Sequence, residues 1–335
     1  MDDRYIVSQQ NGLPLGVLFG PDLHIDGTGP STRVDNYGNS VLSKLRYCIA
    51  IANEENVVAA FPGDFFGRPH VLSDFVKAKV IEILRTARYL PIIYPGNHDM
   101  SGDILGEVDT LWLLKVAGCA HVQLHSGPTA VFDMIDPHGN PVRVGVGGTP
   151  YGQEFPEDAE WGGVQDEGEA VDLGIWFTHH NLTFQSHYAD RPSYGFSEIG
   201  GVDIVVNGHL HHAAPSVRVG NTEWHNPGSC TRTKANERDR VPTFGIILAD
   251  GAIDIIPIQY DGSGSVFTSS AGRISAPINS AAPDNMARER FISHLAIDSG
   301  AEKSVGVHLD EALEAGMIDR PMREWLEKIA QKAAP

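Results

Sequence analysis

The sequence predicts an α/β fold, and three observations lead to this assignment. Short apolar runs rich in valine, isoleucine and aromatic residues recur along the chain, and each ends in a polar loop, which is the pattern of buried strands. Amphipathic helical patterns lie between some of these runs, as in proteins whose sheet is covered by helices. The chain has 335 residues with 41% hydrophobic content, which is sufficient for one large domain with additional structure.

The strand and helix patterns alternate over much of the chain. Buried-strand patterns cover residues 15–19, 56–61, 90–94, 173–178 and 202–206. Residues 40–54 and 71–88 repeat apolar side chains at helical spacing, and Ser73 and Asp74 are suitable caps near the start of the second helix. The alternation predicts a sheet whose strands are connected by helices.

Other segments predict antiparallel strands. Residues 131–135 and 142–146 flank a polar turn and are expected to form a β-hairpin. Four further strands are expected over residues 217–219, 222–225, 244–248 and 253–258. The pair Asp250-Gly251 is typical of a tight turn, so we expect the last two strands to be neighbours.

Composition and charge restrict the possible functions. The formal net charge of −18 argues against a surface that neutralises long nucleic acids, although metal-binding carboxylates contribute to this sum. No apolar stretch is long enough to span a membrane and the acidic N-terminus is not a secretory signal, so we expect a cytoplasmic protein without a membrane partner. Cys48, Cys119 and Cys230 are odd in number and widely spaced, which predicts free thiols.

Reactive side chains follow the predicted strands. They are Asp22, His24, Asp64, Asn97, His98, His179, His209 and His211. Ligands of α/β sheets bind beyond the carboxyl ends of the strands, so we expect these residues to gather at one rim. Carboxylate, amide and imidazole donors suit a site for two divalent cations, with manganese expected and iron or zinc as alternatives. Each motif is weak alone, and the prediction rests on the ordered set.

The ordered set resembles the calcineurin-like metallophosphoesterase superfamily. The matching series is Asp22-x-His24, Gly63-Asp64, Gly96-Asn97-His98-Asp99, His179 and Gly208-His209-x-His211. The resemblance covers about residues 15–258. It implies a four-layer α/β/β/α sandwich, with two sheets between helices, and an enzyme that hydrolyses phosphoric esters at a dinuclear metal centre.

The resemblance also implies a role for each residue. Asp64 would bridge the two cations. The remaining ligands would be Asp22, His24 and His211 for one cation, and Asn97, His179 and His209 for the other. His98 would donate a proton to the leaving oxygen or stabilise the transition state, and Asp99 would orient it. A water or hydroxide that bridges the cations would attack phosphorus.

Two pairs of adjacent histidines leave a choice of ligand. Neighbouring residues of an extended segment point to opposite sides, so only one member of His179-His180 is expected to enter the site. The family pattern favours His179, and His180 stays an alternative. The same reasoning favours His211 over His212.

Two features are similar to bacterial SbcD-type DNA repair exonucleases and to phage phosphoesterases. One is the segment 63–69, Gly-Asp-Phe-Phe-Gly-Arg-Pro, and the other is the segment 226–229, Asn-Pro-Gly-Ser, with a basic residue following it. Arg232 and Lys234 are candidates for contact with a phosphodiester backbone, and His225 is a candidate for lining the site. The resemblance therefore favours a phosphodiesterase that acts as a nuclease.

The sequence also departs from these nucleases. Gly67 stands where many of them have a second histidine, and only a short segment follows residue 260, where they carry a DNA-binding cap. The bacterial members often lack that histidine too, so the substrate argument rests on the short segment and the acidic charge. Both favour DNA ends or oligonucleotides over long duplex DNA as substrate. The alternatives are a phosphomonoesterase or cyclic-nucleotide phosphodiesterase, and a non-catalytic scaffold.

Composition divides the chain into three segments. Residues 1–260 are the predicted catalytic domain. Residues 261–285 are rich in glycine, serine, alanine and proline and are expected to form a linker. Residues 286–335 are expected to form a C-terminal helical segment, with the clearest helical spacing over residues 321–332.

Overall fold

The structure, a computed structural model, describes residues 6–7, 12–163, 170–184, 194–258 and 260–267. The chain divides into two compact units, residues 1–270 and 271–335, and the whole of the second unit lies outside the described residues. The C-terminal helical segment 286–335 and most of the linker 261–285 therefore stay predictions.

The described part of the chain alternates strands and helices. The strands are β1 (Gly16–Phe19), β2 (Val57–Pro62), β3 (Ile92–Tyr94), β4 (His121–Val122), β5 (Gly127–Ile135), β6 (Pro141–Thr149), β7 (Leu173–Thr178), β8 (Ile204–Asn207), β9 (Ala214–Val219), β10 (Thr222–Asn226), β11 (Thr243–Leu248) and β12 (Ile253–Pro257). The α-helices are α1 (Tyr37–Glu54), α2 (Asp74–Leu84), α3 (Thr110–Val116) and α4 (Ser263–Val266).

Two six-stranded mixed sheets form the framework. The first has the order β12-β11-β1-β2-β3-β4, in which β1 to β4 are parallel and β11 and β12 add antiparallel strands. The second has the order β5-β6-β7-β8-β10-β9, in which β6, β7, β8 and β10 are parallel. Within each sheet the parallel strands present their carboxyl ends at the same edge, which is where α/β proteins bind ligands.

The side-chain alternation of β2 shows how the layers pack. Val57, Ala59 and Phe61 join the hydrophobic core that includes α1 to α3, whereas Val58 and Ala60 join the core between the two sheets. Every residue of β2 is buried because both faces of the first sheet are covered. The α/β prediction is confirmed by this arrangement.

The outer face of the second sheet has a different cover. Trp176 and Trp224 are fully buried there and pack with Leu182 and Ile199. Within the described residues, this layer is built from loops and the short 3-10 helix Trp161–Gly163. Large aromatic side chains therefore cover the apolar outer face of the second sheet, whereas helices cover the outer face of the first sheet.

The predicted helices are present with shifted ends. α1 begins earlier than predicted because the side chain of Asn36 caps it by accepting a hydrogen bond from the Asn39 amide at 3.2 Å. Ser73 caps α2 as predicted, but the helix ends at Leu84. Helix α3 was not predicted, because its one buried pair of leucines is too short a repeat to show helical periodicity.

Two further sequence predictions concern membranes and cysteines. None of the described helices has the length and apolar character needed to cross a membrane. Cys48, Cys119 and Cys230 are all buried, and none of them forms a disulfide. The prediction of free thiols is confirmed.

Buried cations hold the loop of residues 229–234, which follows β10 and approaches the candidate site. Lys44 Nζ donates a hydrogen bond to the carbonyl oxygen of Cys230 at 2.9 Å. Arg33 Nη1 donates to the carbonyl oxygen of Arg232 at 2.7 Å. Asp35 accepts from the remaining guanidinium nitrogens of Arg33, at 2.8 and 2.5 Å. The two cations are thus partnered where they are buried, and their bonds to the carbonyl groups fix the path of the loop.

Lys44 is expected to make stability depend on pH. Burial, together with the positive charge of Arg33, lowers the pKa of Lys44 to about 7. Above this pH the unfolded chain keeps a proton that the folded chain has released, so the free energy of unfolding rises until the unfolded lysine also titrates. We expect the metal-free wild type to gain about 1–2 kcal/mol relative to Lys44→Met between pH 7.5 and 9. Urea unfolding at both pH values measures this, and a constant difference would mean that folded Lys44 stays charged.

Candidate metal centre

Five loops at the carboxyl ends of parallel strands carry the predicted site residues. They are Asp22 and His24 after β1, Asp64 after β2, Asn97 and His98 after β3, His179 after β7, and His209 and His211 after β8. The structure brings all of them together around Asp64. Residues that are far apart in sequence meet here because the strands that precede them are parallel and end at one edge of each sheet.

Four of these residues have a left-handed backbone conformation. The angle φ is 55° at Asp22, 50° at His24, 47° at Asp64 and 72° at His209. Among the described non-glycine residues, only Asn56 shares this feature. Such a conformation costs roughly 1–3 kcal/mol for a residue with a side chain and persists mainly at functional sites. The strain thus coincides with the predicted ligands.

Two glycines allow these loops to approach one another. Gly63 has a φ of 82°, and a Cβ atom at this position would overlap the imidazole of His179. A Cβ atom at Gly96 would overlap the backbone and carboxylate of Asp64. The glycines of the Gly63-Asp64 and Gly96-Asn97 motifs are therefore needed for packing around the ligands.

The candidate ligand atoms form three overlapping groups. Two of them consist only of predicted ligands, and these are Asp22, His24 and His211 in the first and Asp64, His179 and His209 in the second. The third joins His24 and Asp64 to His98. Within each group the ligand atoms lie within 4.8 Å of one another. Asp64 Oδ2 lies 3.2 Å from His179 Nε2 in the second group and 3.8 Å from His24 Nε2 in the first. Asp64 therefore lies between the groups, where a bridging carboxylate is expected.

The donors of the cluster fit divalent cations. Several buried side-chain atoms in the described residues lack a hydrogen-bond partner, and three of them belong to this cluster: Asp22 Oδ2, Asn97 Oδ1 and His179 Nε2. An unsatisfied buried polar atom costs about 1–3 kcal/mol. The Nε2 atoms of His24 and His211 also face each other at 3.0 Å, where a cation would accept a lone pair from each. Bound cations would satisfy these atoms.

Hydrogen bonds decide which member of the His179-His180 pair faces the cluster. His179 Nδ1 lies 2.9 Å from the carbonyl oxygen of Pro62, which can only accept, so Nδ1 carries the proton and Nε2 offers a lone pair to the cluster. His180 is turned away, since its Nε2 donates to the Gln153 carbonyl oxygen at 3.0 Å and its Nδ1 bonds the Thr178 hydroxyl. Burial lowers the pKa of His180 to about 4, which keeps the ring neutral. His179 is therefore the member placed in the site.

His211 is held by a carboxylate that the sequence analysis did not identify. Its Nδ1 lies 2.6 Å from Oε1 of Glu237, a residue in the short 3-10 helix Ala235–Glu237. Burial alone would raise the pKa of Glu237, but the hydrogen bond and charge of His211 lower it to about 2. Glu237 lies 26 positions from His211, and no motif spacing signals this contact. His212 is exposed and has no place in the cluster.

His98 lies at the open side of the cluster. Its side chain is 49% exposed, and its Nε2 lies 4.0 Å from Asp64 Oδ2. Its Nδ1 lies 3.1 Å from the carbonyl oxygen of Gly67, so Nδ1 is the donor and Nε2 points toward the cluster. The backbone of the segment 63–69 therefore orients the ring of His98.

Asp99 has a different role from the one expected. Its buried carboxylate accepts hydrogen bonds from the amides of Gly96 at 2.8 Å, Phe65 at 3.1 Å and Phe66 at 2.7 Å. Both carboxylate oxygens are occupied by backbone donors, and neither contacts His98. The expectation that Asp99 orients His98 is wrong, because Asp99 instead joins the loop that follows β2 to the loop that follows β3.

The charges of the cluster perturb one another. Burial raises the pKa of Asp22. Burial also opposes ionisation of Asp64, but His179 and His24 outweigh it and hold the pKa of Asp64 well below its usual range. Burial opposes protonation of His179, yet Asp64 and Asp22 raise the pKa of His179 to about 9. The buried carboxylates thus require positive charge nearby, which cations would supply.

A cavity of about 300 Å³ opens onto the cluster. His24, Asn97 and His98 line it, together with two basic side chains outside the ligand set, Arg68 and Lys234. Arg68 is 45% exposed along its side chain and forms an ion pair with Asp26. Lys234, which the sequence suggests as a candidate for contact with a phosphodiester backbone, is exposed at the cavity wall. Arg68 was not singled out, since its motif carries no signal for its orientation.

Arg232 and His225 lie away from this cavity. Arg232 is only 2% exposed, and its guanidinium donates to the carbonyl oxygen of Asp261 at 2.6 Å and stacks on Tyr260. His225 pairs with Glu223 at 3.5 Å and lines a second cavity, of about 420 Å³. These positions contradict the expectation that either residue contacts a substrate at the cluster.

The model of the calcineurin-like phosphoesterase family matches residues 17–213, which is more than half of the chain. That range contains every residue of the two ligand groups. A search of curated proteins finds no match.

Several solved structures are similar. A 5′-nucleotidase precursor from Thermus thermophilus has 15% sequence identity and a TM-score of 0.42, over 84% of this chain and 58% of that one, so the chain spans less than two thirds of its length. A hypothetical protein from Thermus thermophilus has 13% identity and a TM-score of 0.39, over 73% of this chain and 98% of that one. A predicted phosphoesterase from Streptococcus pneumoniae has 10% identity and a TM-score of 0.30, with the same coverage.

Proposed function

Because this chain belongs to the calcineurin-like phosphoesterase family, we propose that it is a two-metal phosphodiesterase that acts on DNA ends or short oligonucleotides. One observation carries the proposal: two groups of ligand atoms meet at Asp64 and open, beside His98, onto a cavity with basic side chains. Two-metal sites of this kind serve in-line displacement at phosphorus.

The ligand groups suggest how the cations would be held. Asp22, His24 and His211 would hold one, Asn97, His179 and His209 would hold the other, and Asp64 would bridge them. When bound, the cations would neutralise the charge of the phosphate and activate a water molecule. The donor set contains oxygen and imidazole nitrogen without thiolate, and manganese is the metal we propose for it.

His98 is proposed to supply the proton for the leaving group. Because the Gly67 carbonyl holds Nδ1–H, only Nε2 can carry a proton toward the cavity. Transfer of that proton to the leaving oxygen as the P–O bond breaks avoids the release of an alkoxide. Asp99 supports this arrangement at a distance, since it fixes the backbone of both loops that carry Asp64 and Asn97.

The cavity suggests the size and charge of the substrate. A volume of about 300 Å³ lies at the lower end of the range for small-molecule pockets, and one nucleotide unit is of that size. The basic side chains of Arg68 and Lys234 lie in the wall outside the ligand groups. A phosphate that flanks the scissile bond would meet them there, which favours an oligonucleotide over an isolated phosphate ester.

Replacing Lys234 with alanine should weaken the binding of oligonucleotides selectively. We expect KM for a single-stranded oligonucleotide to rise. We also expect the slope of log KM against log salt concentration to fall by about 0.7, because one phosphate contact is lost. The KM for bis-p-nitrophenyl phosphate, which has no flanking phosphate, should change little. Lys79→Ala removes a lysine on α2 that pairs with Glu82 and serves as the matched control. An equal loss with both substrates would argue against a flanking-phosphate contact.

The proposed activity can be tested with a small set of substrates. The purified protein is stripped of metal by chelation, reloaded with Mn²⁺ and assayed with bis-p-nitrophenyl phosphate, p-nitrophenyl phosphate, a cyclic nucleotide and end-labelled single-stranded DNA. We expect turnover of the diester and the DNA above that of the monoester. A preference for the monoester or the cyclic nucleotide would replace the nuclease assignment. Lack of turnover with manganese, iron and zinc would favour a scaffold.

A further inference from the structure

A buried carboxylate contacts the cluster from outside the ligand set. Glu237 is 1% exposed and belongs to the short 3-10 helix Ala235–Glu237. Its Oε1 lies 2.6 Å from His211 Nδ1. Since a carboxylate can only accept hydrogen bonds, the contact places the proton of His211 on Nδ1.

The position of the proton decides what His211 can do. With Nδ1 protonated, Nε2 carries the lone pair, and this atom faces the cluster at 3.0 Å from His24 Nε2 and 3.7 Å from Asp22 Oδ1. The other tautomer would present an N–H to the cluster and could not bind a cation through Nε2.

The second oxygen of Glu237 is used as well. Its Oε2 accepts hydrogen bonds from the backbone amides of Thr233 at 2.6 Å and Lys234 at 3.1 Å. Both of these residues line the cavity. One buried carboxylate therefore joins a candidate metal ligand to the cavity wall that carries Lys234.

Two other imidazoles of the cluster have a defined Nδ1 partner and are held differently. His179 and His98 bond the backbone carbonyl groups of Pro62 and Gly67. A side-chain substitution at those positions cannot remove a carbonyl, whereas a substitution of Glu237 removes the partner of His211. This difference makes the role of Glu237 separable by mutation.

We propose that Glu237 is a positioning residue that fixes His211 in its metal-binding tautomer and couples it to the loop of Thr233 and Lys234. The inference rests on the proposed two-metal function. Glu237 contacts neither the candidate cations nor the cavity, and it acts through the two groups that it holds. Partners of this kind typically contribute about 10–100-fold to metal affinity or activity.

The variant Glu237→Gln tests this role. Its amide oxygen can keep the backbone donors of the loop, while its NH₂ group then faces His211 Nδ1 and favours the tautomer with the proton on Nε2. The variant is titrated with Mn²⁺ while electron paramagnetic resonance measures the concentration of free Mn²⁺. We expect the Mn²⁺ affinity of one of the two sites to fall by about 10–100-fold and that of the other to be retained. Glu223→Gln breaks a carboxylate–histidine pair outside the cluster and is the matched control.

A second measurement does not depend on the variant being folded. In the metal-free wild type, ¹⁵N spectra of the imidazoles should show His211 with its proton on Nδ1, and in Glu237→Gln the signal should move toward the other tautomer while that of His179 stays. A wild-type His211 with its proton mainly on Nε2 would overturn the inference. So would equal Mn²⁺ affinity of Glu237→Gln and the wild type. A wild type that binds no Mn²⁺ but shows the expected tautomer would instead contradict the proposed function.

Discussion

Asp64→Ala is expected to lose both cations and at least about 10³-fold in turnover. The reason is geometric, because Asp64 Oδ2 lies 3.2 Å from His179 Nε2 and within 4.0 Å of an imidazole nitrogen of both His24 and His98. Asp22 Oδ1 also approaches imidazoles of both groups, but none closer than 3.7 Å. A two-metal site supplies several kcal/mol of transition-state stabilisation, and each 1.4 kcal/mol corresponds to about tenfold in rate. Metal analysis after gel filtration and kcat with bis-p-nitrophenyl phosphate measure the two losses.

The control for Asp64 is a carboxylate that forms an ion pair but has no place in the site. Asp133 lies on β5 and pairs with Arg143 at 3.2 Å. Asp133→Ala should keep the metal content and the turnover of the wild type. A full complement of metal in Asp64→Ala would defeat the assignment of Asp64 as the bridging residue, whatever the activity of that variant.

His98→Ala is expected to keep both cations and to lose about 10²–10⁴-fold in turnover of oligonucleotides, the usual contribution of a positioned acid. The substitution removes none of the ligands proposed for the two cations, since His98 lies at the open side of the cluster and is oriented by the Gly67 carbonyl. The loss should be much smaller with bis-p-nitrophenyl phosphate, because p-nitrophenolate leaves without help from an acid.

This comparison of substrates separates two roles for His98. An equal loss with both substrates would indicate that the imidazole stabilises charge on phosphorus and does not protonate the leaving oxygen. His138→Ala, at an exposed turn between β5 and β6, is the control for the loss of an imidazole. Loss of metal in His98→Ala would contradict its placement outside the ligand set.

The position of the site at the carboxyl ends of the strands could be predicted from the sequence, because it follows a general rule of α/β sheets. Asp22, Asp64 and His179 each follow an apolar run, and parallel strands bring such positions to one edge. From the sequence, side-chain alternation implies only that one of His179 and His180 enters the site, and the family pattern selects His179. The structure adds the physical reason, since each ring is fixed by its own hydrogen bonds.

The side-chain orientations that the sequence did not predict depend on contacts between distant loops. Asp99 stands next to His98 in sequence, yet its carboxylate turns toward the amides of Phe65 and Phe66. Arg232 follows a family-like motif, but its guanidinium is buried against backbone carbonyl groups. Glu237 lies in no recognisable motif, so its contact with His211 had no signal in the sequence. In each case the partner comes from another loop, which neither periodicity nor spacing encodes.

The most direct test of the two-metal centre is anomalous scattering from crystals of the full chain grown with Mn²⁺. The account predicts two peaks separated by roughly 3.5–4 Å. One should lie among Asp22, His24 and His211, the other among Asn97, His179 and His209, with Asp64 contacting both. A single peak, or manganese bound only at residues outside these groups, would contradict it.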